Sequence, residues 1–225
     1  MVYLRCPQLN KKGMSKEIKQ VWYASYGSNI LESRFHCYIL GGQPKGSKKT
    51  YKGCTDKTLP QDKEEIYINS ELYFAKKSKS WDSCGVGFIN TEFNDKVQTL
   101  GRMYLITPEQ YVEIVKQETN HRGELLIDFE KARGKGSLII KEKSWYGNLL
   151  FLGEQNGNPI FTFTNEKNLT EEINAPSEQY LLTIINGIKE TYNLNEIEIR
   201  EYFENLTGIK GHAIEKKIAE LIKWE

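Results

Sequence analysis

The chain has few cysteines and no long apolar run. It contains four cysteines among 225 residues, and none of them forms a Cys-x-x-Cys pair. This usage favours reduced thiols in a cytosolic protein over a disulfide framework. No apolar run approaches the roughly 20 residues needed to span a bilayer, and the N-terminal segment lacks the apolar core of a signal peptide. We therefore expect a cytoplasmic protein with no membrane partner.

Neither sign of charge predominates. The sequence has 31 Lys and Arg residues against 30 Asp and Glu residues, so it carries no electrostatic footprint of a nucleic-acid-binding protein. The content of 39% hydrophobic and 27% charged residues is typical of a soluble globular protein. A chain of 225 residues is long enough for one domain with a full hydrophobic core. We expect one such domain and no nucleic-acid partner.

Close pairs of metal-binding residues are scarce as well. Structural zinc ligands normally come in close pairs. Among His36, Cys37, Cys54 and Cys84, only the first two are adjacent. A zinc site built from these four residues stays open as an alternative, but small buried thiols are the favoured interpretation. We expect no stoichiometric zinc.

Strand patterns dominate the first part of the chain and helical patterns the last. The predicted strands lie at 20–26, 65–75, 85–93, 99–106, 137–153 and 158–165. Residues 42–65 are polar and rich in Gly, Pro and Lys, which predicts a long loop. Apolar stripes at helical spacing follow at 177–192 and 212–224. This order predicts an α+β fold with a curved, mostly antiparallel sheet or a small barrel.

Two helices carry clear boundary signals. After the first strand, Asn29 is a predicted N-cap, Glu32 completes a capping box, and Gly41 offers a C-terminal stop. The second helix is predicted to begin after Thr107 as N-cap, with Pro108 at its first position and Gln110 completing a capping box.

The abrupt turn after the first strand is the first candidate site. A strand that turns through Gly27 and Ser28 into a helix capped near Asn29 points several free N–H groups at one spot. The helix dipole adds partial positive charge there, so a carboxylate or phosphate would be held. The alternative is an ordinary strand-to-helix turn.

Glu118 is the second candidate. Helical spacing places it on the same face as the apolar residues Tyr111, Ile114 and Val115. Loss of hydration raises the pKa of a carboxyl group, and such a group is a good general base near neutral pH. The alternative is that Glu118 lies at a fraying helix end and pairs with Arg122.

Four short segments along the chain suggest a family. They are "YGSNI" after the first strand, "GRMYLI", the helix ending in "QE", and "APSEQYLLTIINGIKE". In order and approximate spacing they resemble the γ-glutamylcyclotransferase-like family. The resemblance implies a mixed, mostly antiparallel β-barrel with flanking helices over residues 20–192. Residues 1–19 would be an N-terminal extension, and residues 193–225 a C-terminal helical extension.

The resemblance also implies a reaction and a site. A γ-glutamyl amide or peptide would cyclise to 5-oxoproline and release an amine or amino acid, without a metal or cofactor. The implied partner is thus a small-molecule γ-glutamyl substrate. Glu118 would be the catalytic acid/base. The implied substrate-binding residues are Tyr26, Gly27, Ser28, Asn29 and Tyr180.

Two questions stay open at this point. A non-catalytic binding module of the same fold could use the "YGSN" loop to hold an anionic metabolite or nucleotide. The leaving group is also open, since an amino acid, a polyamine, a lysine side chain or a modified antibiotic or toxin would all be compatible. We expect residues 42–65 and the C-terminal helices to make that choice.

Overall fold

The computed structural model describes residues 18–45, 47 and 49–223. Residues 1–17 of the predicted N-terminal extension lie outside the described residues. The strands are β1 (Val21–Ser25), β2 (Asp62–Ile68), β3 (Leu72–Ser78), β4 (Cys84–Ile89), β5 (Thr99–Ile106), β6 (Ser137–Ile139), β7 (Asn148–Gln155) and β8 (Asn158–Thr164). The α-helices are α1 (Glu32–Leu40), α2 (Pro108–Glu118), α3 (Phe129–Lys135), α4 (Glu178–Thr191), α5 (Glu196–Glu204) and α6 (Ile218–Lys223).

The strands form one open sheet and one separate hairpin. The six-stranded sheet has the order β2-β5-β1-β8-β7-β6, and β3 pairs with β4 alone. Only β1 and β8 are parallel; the other pairs of the described strands are antiparallel. The predicted α+β class and mostly antiparallel sheet are confirmed. The predicted barrel is wrong, because β2 and the three-residue β6 lie at opposite edges and do not pair.

Most predicted elements are present, with three differences. The strand predicted at 65–75 is the end of β2 and the start of β3, separated by a bend. The helix predicted at 212–224 is a 3₁₀ segment, Ala213–Lys217, followed by the short α6, and its last residue lies outside the described ones. The sequence patterns did not predict α3 or α5.

The first strand lies between two apolar clusters. Val21 and Tyr23 face the cluster beneath α1 and α2, whereas Trp22 and Ala24 face a smaller cluster on the other side. This alternation is the period-two pattern of a strand buried on both faces. Because β1 runs parallel to β8, the carboxyl ends of both strands open at the same edge of the sheet.

The C-terminal helices α5 and α6 pack together with α4. Apolar side chains of α5 and α6 belong to the same buried cluster as those of α4. The proposed boundary at residue 192 stays a prediction. Among the described residues, none of the helices combines the length and apolarity required to cross a membrane.

Close packing of α4 on the turn after β1 generates a first prediction. A Cβ atom on Gly187 would lie 2.5 Å from the backbone nitrogen of Leu31 and 2.7 Å from the carbonyl carbon of Ile30. We expect Gly187→Ala to lower the free energy of unfolding by about 1–3 kcal/mol, because backbone atoms must shift. Gly134→Ala is the matched control, since Gly134 lies in α3 with no atom within 4 Å of its added Cβ.

Urea-induced unfolding of the two variants measures the difference. Gly134→Ala should be neutral or stabilising by up to about 1 kcal/mol, because alanine is the better helix former. Equal stability of the two variants would contradict the close packing of α4 on the turn.

Candidate active site

A cavity of about 400 Å³ opens where β1 ends. It is lined by residues from segments far apart in the chain, which the sheet and the helices bring together. All six residues predicted for the site are among them: Tyr26, Gly27, Ser28, Asn29, Glu118 and Tyr180. The structure thus assembles the predicted residues in one place, and their chemical roles stay predictions.

The turn after β1 differs from the predicted helix start. Residues Ser28–Ile30 form one 3₁₀ turn, and α1 begins only at Glu32 without a side-chain cap. The predicted N-cap role of Asn29 and the capping box with Glu32 are therefore wrong, whereas Gly41 does end the helix, with φ 88°. The Asn29 side chain has other partners: its Nδ2 donates to Tyr23 Oη (3.2 Å) and Glu118 Oε1 (3.4 Å).

Fewer backbone N–H groups are free at this turn than the sequence analysis predicted. The Ile30 amide donates to the Gly27 carbonyl at 3.0 Å and is therefore not free. The α1 dipole begins beyond this turn, at Glu32. The turn is therefore shaped by tertiary contacts more than by a helix N-terminus.

Strand β5 supports the turn from below. The Tyr104 hydroxyl lies 3.0 Å from the carbonyl oxygens of both Asn29 and Ile30 and donates to this pair. The Arg102 guanidinium lies 3.4 Å from the Ile30 carbonyl and forms an ion pair with Glu32 at 3.1 Å. The "GRMYLI" segment therefore positions the turn through its side chains.

Glu118 ends α2 and is half-buried at the cavity wall. The Tyr38 hydroxyl donates a short hydrogen bond to its Oε1 atom, which also accepts from Asn29 Nδ2. Lys49 and Lys141 donate from their Nζ atoms to the neighbouring carbonyls of Gln117 (3.0 Å) and Thr119 (2.6 Å). These contacts secure the end of α2, so the alternative of a frayed Glu118 paired with Arg122 does not describe this structure.

A chain of phenols extends from the carboxylate. The hydroxyl oxygens of Tyr38 and Tyr51 lie 2.9 Å apart, and Arg34 Nη2 donates to Tyr51 at 3.1 Å. Because the single Tyr38 proton goes to Glu118, Tyr51 must donate to Tyr38. Burial raises the pKa of Tyr51 to about 12 and the pKa of Tyr38 well above its usual range. Both phenols therefore keep their protons near neutral pH, and the chain donates in one direction toward Glu118.

Arg34 is the main site residue that the sequence patterns missed. Its side chain is 5% exposed and lines the cavity. Its Nε donates to Ser28 Oγ at 2.8 Å, and its Cζ lies 4.9 Å from the Trp81 ring centroid. The available signal was its place on α1, four residues before Tyr38, which puts both side chains on one face.

Tyr180 closes the opposite wall. Its hydroxyl oxygen accepts from the backbone amide of Gly87 at 3.1 Å. A Cβ on Gly27 would lie 3.0 Å from this oxygen, so the loop passes close to it. Tyr26 also lines the cavity, and its hydroxyl donates to the Phe163 carbonyl at 2.8 Å; its substrate-binding role stays a prediction.

The alternative zinc site is not assembled. Cys54 donates its thiol to the Tyr38 carbonyl at 3.3 Å, and Cys37 donates to the Ser33 carbonyl at 3.5 Å. Within the described ranges, no group of three His, Cys, Asp or Glu side chains is placed to hold a metal ion.

Comparison with known sequences gives one curated relative of clear similarity. Histone deacetylase 5 of Arabidopsis thaliana is 34% identical over 199 residues, which cover 82% of this chain. The chain spans 30% of the length of that relative. No protein-family model matches the chain.

Comparison with solved structures gives likenesses at lower identity. A γ-glutamyl cyclotransferase and an uncharacterized protein from Homo sapiens each have a TM-score of 0.46 and 16% identity, over 91% and 92% of this chain and 99% of theirs. A yeast γ-glutamyl cyclotransferase specific to glutathione has a TM-score of 0.36 and 11% identity, over 91% of this chain and 96% of its own. The chemistry of the site therefore rests on the residues of this chain.

The hydrogen bonds of Tyr180 generate a second prediction. We expect Tyr180→Phe to lower the free energy of unfolding by about 1–3 kcal/mol, because the buried amide of Gly87 loses its acceptor. Tyr111→Phe is the matched control, because the Tyr111 hydroxyl is buried without a hydrogen-bond partner among the described residues. Chemical denaturation should find this control neutral or slightly stabilised; a neutral Tyr180→Phe would contradict the assigned contacts.

Proposed function

We propose that this protein is a γ-glutamylcyclotransferase-type enzyme. The α-amino nitrogen of a γ-glutamyl amide or peptide attacks its own γ-carbonyl carbon, and the bond to the leaving nitrogen breaks. The products are 5-oxoproline and a free amine or amino acid. The nucleophile belongs to the substrate, so the protein has to orient the chain, move a proton and stabilise charge on the γ-oxygen.

One observation carries this proposal: three distant segments place a carboxylate, an amide and a phenol around one cavity. Glu118, Asn29 and Tyr180 line it. They are the residues that the "YGSN" and "SEQY" motifs and the α2 ending single out. The motif resemblance and the geometry therefore support the same site.

Glu118 is suited to the proton transfer. Within the described residues, Asn29 and Tyr38 both donate to its Oε1 atom. Its Oε2 atom is therefore the one that we expect to face a substrate. In the proposed reaction, Oε2 takes a proton from the α-ammonium group, so that the neutral amine can attack. The same group then returns the proton to the departing nitrogen.

Tyr180 is suited to stabilise charge on the γ-oxygen. Its oxygen accepts the Gly87 N–H group, so its own proton remains available for a ligand in the cavity. Burial raises the pKa of Tyr180, which keeps that proton in place near neutral pH. We assign this hydroxyl the role of hydrogen-bond donor to the developing oxyanion.

The segment before β2 forms part of the cavity wall. Lys49 and Tyr51 from this segment line the cavity, whereas no residue described between 193 and 223 does. We therefore propose that residues 42–65, rather than the C-terminal helices, select the leaving amine. The Arabidopsis relative is named a histone deacetylase, and this chain covers 30% of its length. The name does not say which part of that protein carries the activity.

The competing hypothesis is a non-catalytic module that binds an anionic metabolite or nucleotide. It is favoured by the positive charge of the cavity. The described lining residues carry four cationic side chains and one carboxylate, Glu118; the cationic ones are Arg34, Lys49, Lys141 and Lys143. Both hypotheses use the same cavity. Turnover separates them.

The third prediction concerns Glu118. Incubation of the wild-type protein with γ-glutamyl dipeptides should yield 5-oxoproline, and Glu118→Gln should lower the rate by at least about 100-fold, because the amide cannot accept the proton. Glu109→Gln is the matched control, since Glu109 is exposed in the first turn of the same helix. Chromatographic detection of 5-oxoproline measures each rate.

Two results would count against the proposal. The first is no 5-oxoproline from any γ-glutamyl peptide or amine, which would leave the binding-module hypothesis. The second is equal turnover by Glu118→Gln and Glu109→Gln, which would remove Glu118 from the reaction.

A further inference from the structure

Two residues of the cavity wall each carry a buried polar atom that has no hydrogen-bond partner among the described residues. Five buried side-chain nitrogen or oxygen atoms among the described residues have no hydrogen-bond partner: Gln20 Nε2, Asn29 Oδ1, Arg34 Nη1, Tyr111 Oη and Asn148 Oδ1. Only Asn29 and Arg34 of these residues line the cavity. One of the two atoms is a cationic donor and the other a neutral acceptor. Buried polar groups without partners are costly, so a complementary ligand is the natural explanation.

The Arg34 guanidinium is held firmly for a further contact. Its Nε and Nη2 donate to the hydroxyl oxygens of Ser28 (2.8 Å) and Tyr51 (3.1 Å), and its plane packs over Trp81. These partners are neutral and leave Nη1 unpaired. A fixed, buried guanidinium with a free N–H group is suited to a carboxylate.

The Asn29 amide is oriented by its neighbours. Its Nδ2 donates to Tyr23 Oη and Glu118 Oε1, and the reverse orientation would place two oxygens against each other at Glu118. Its Oδ1 is therefore an acceptor beside a carboxylate. Together these two groups suit an ammonium group.

We propose that Arg34 and Asn29 recognise the two charges of an α-amino acid head group. Arg34 Nη1 binds the α-carboxylate, while Asn29 Oδ1 and the Glu118 carboxylate bind the α-ammonium group. This inference rests on the proposed function and specifies its substrate class: amides that retain both free α-groups of the glutamyl residue. It makes Arg34 a specificity residue. The substrate carboxylate, which the sequence analysis expected backbone N–H groups to hold, is instead held by the Arg34 side chain.

The first test uses wild-type protein and paired ligands. 5-Oxoproline has the α-carboxylate, and 2-pyrrolidinone is the same ring without it. Isothermal titration should show at least about 10-fold tighter binding of 5-oxoproline, the scale of one hydrogen bond between charged groups. In turnover assays, γ-glutamyl-alanine should exceed 4-aminobutyryl-alanine, which lacks the carboxylate, by at least the same factor in kcat/KM.

The second test uses substitutions. Arg34→Gln should reduce the preference for 5-oxoproline over 2-pyrrolidinone by at least about 10-fold, and Arg34→Lys should restore part of it. Lys143→Gln is the matched control, because Lys143 is an exposed residue that lines the same cavity. Removal of that exposed charge should change the preference by less than about fivefold.

The outcomes separate this inference from the proposed function. Equal binding of both rings, or no binding of either, overturns the inference whatever the variants do. Turnover that ignores the carboxylate also overturns it but leaves the cyclotransferase proposal standing. Carboxylate-selective binding without turnover supports the inference and counts against the enzyme.

Discussion

The hydrogen bonds that reach Glu118 hold the candidate site together. Tyr38 from α1 and Asn29 from the turn after β1 both donate to one oxygen of this carboxylate. Because the two donors lie on either side of the start of α1, the contact sets the position of the turn relative to α2. Tyr38 is in turn linked through Tyr51 to Arg34. In a low-dielectric interior such connected hydrogen bonds reinforce one another.

The same turn is held from two further directions. Tyr104 donates to its carbonyls from β5, and the Tyr180 hydroxyl of α4 lies against Gly27. Phenol groups thus satisfy backbone atoms that a regular helix would have paired internally. This explains how a chain can leave a strand and reach a helix within a few residues, and why one face of the turn remains open to a ligand.

Local signals predicted much of the fold, because they depend on neighbouring residues. The capping box of α2 at Thr107 is present as expected, since a cap is made within one turn of helix. The barrel was wrong because closure depends on how distant strand edges meet, and β6 is too short to extend the sheet. Helix α5, which the patterns did not predict, has its own capping box at Asn195, and the spacing of that box is a local signal in the sequence.

The site shows the same contrast between local signals and contacts made by distant segments. The motifs named six of the residues that line the cavity, but the N-cap role of Asn29 was wrong because Ser28–Ile30 forms a 3₁₀ turn and α1 begins only at Glu32. Arg34 was missed because its partners Tyr51 and Trp81 come from segments with no local signal of contact.

The central claim is that the substrate's own amine closes the ring at this site. It is tested most directly with a γ-glutamyl dipeptide labelled with ¹⁵N at the α-amino group and analysed by NMR after incubation with the protein. We expect 5-oxoproline with the label in its ring nitrogen. Labelled free glutamate as the main product would mean that water attacks instead, and would contradict ring closure by the substrate's own amine.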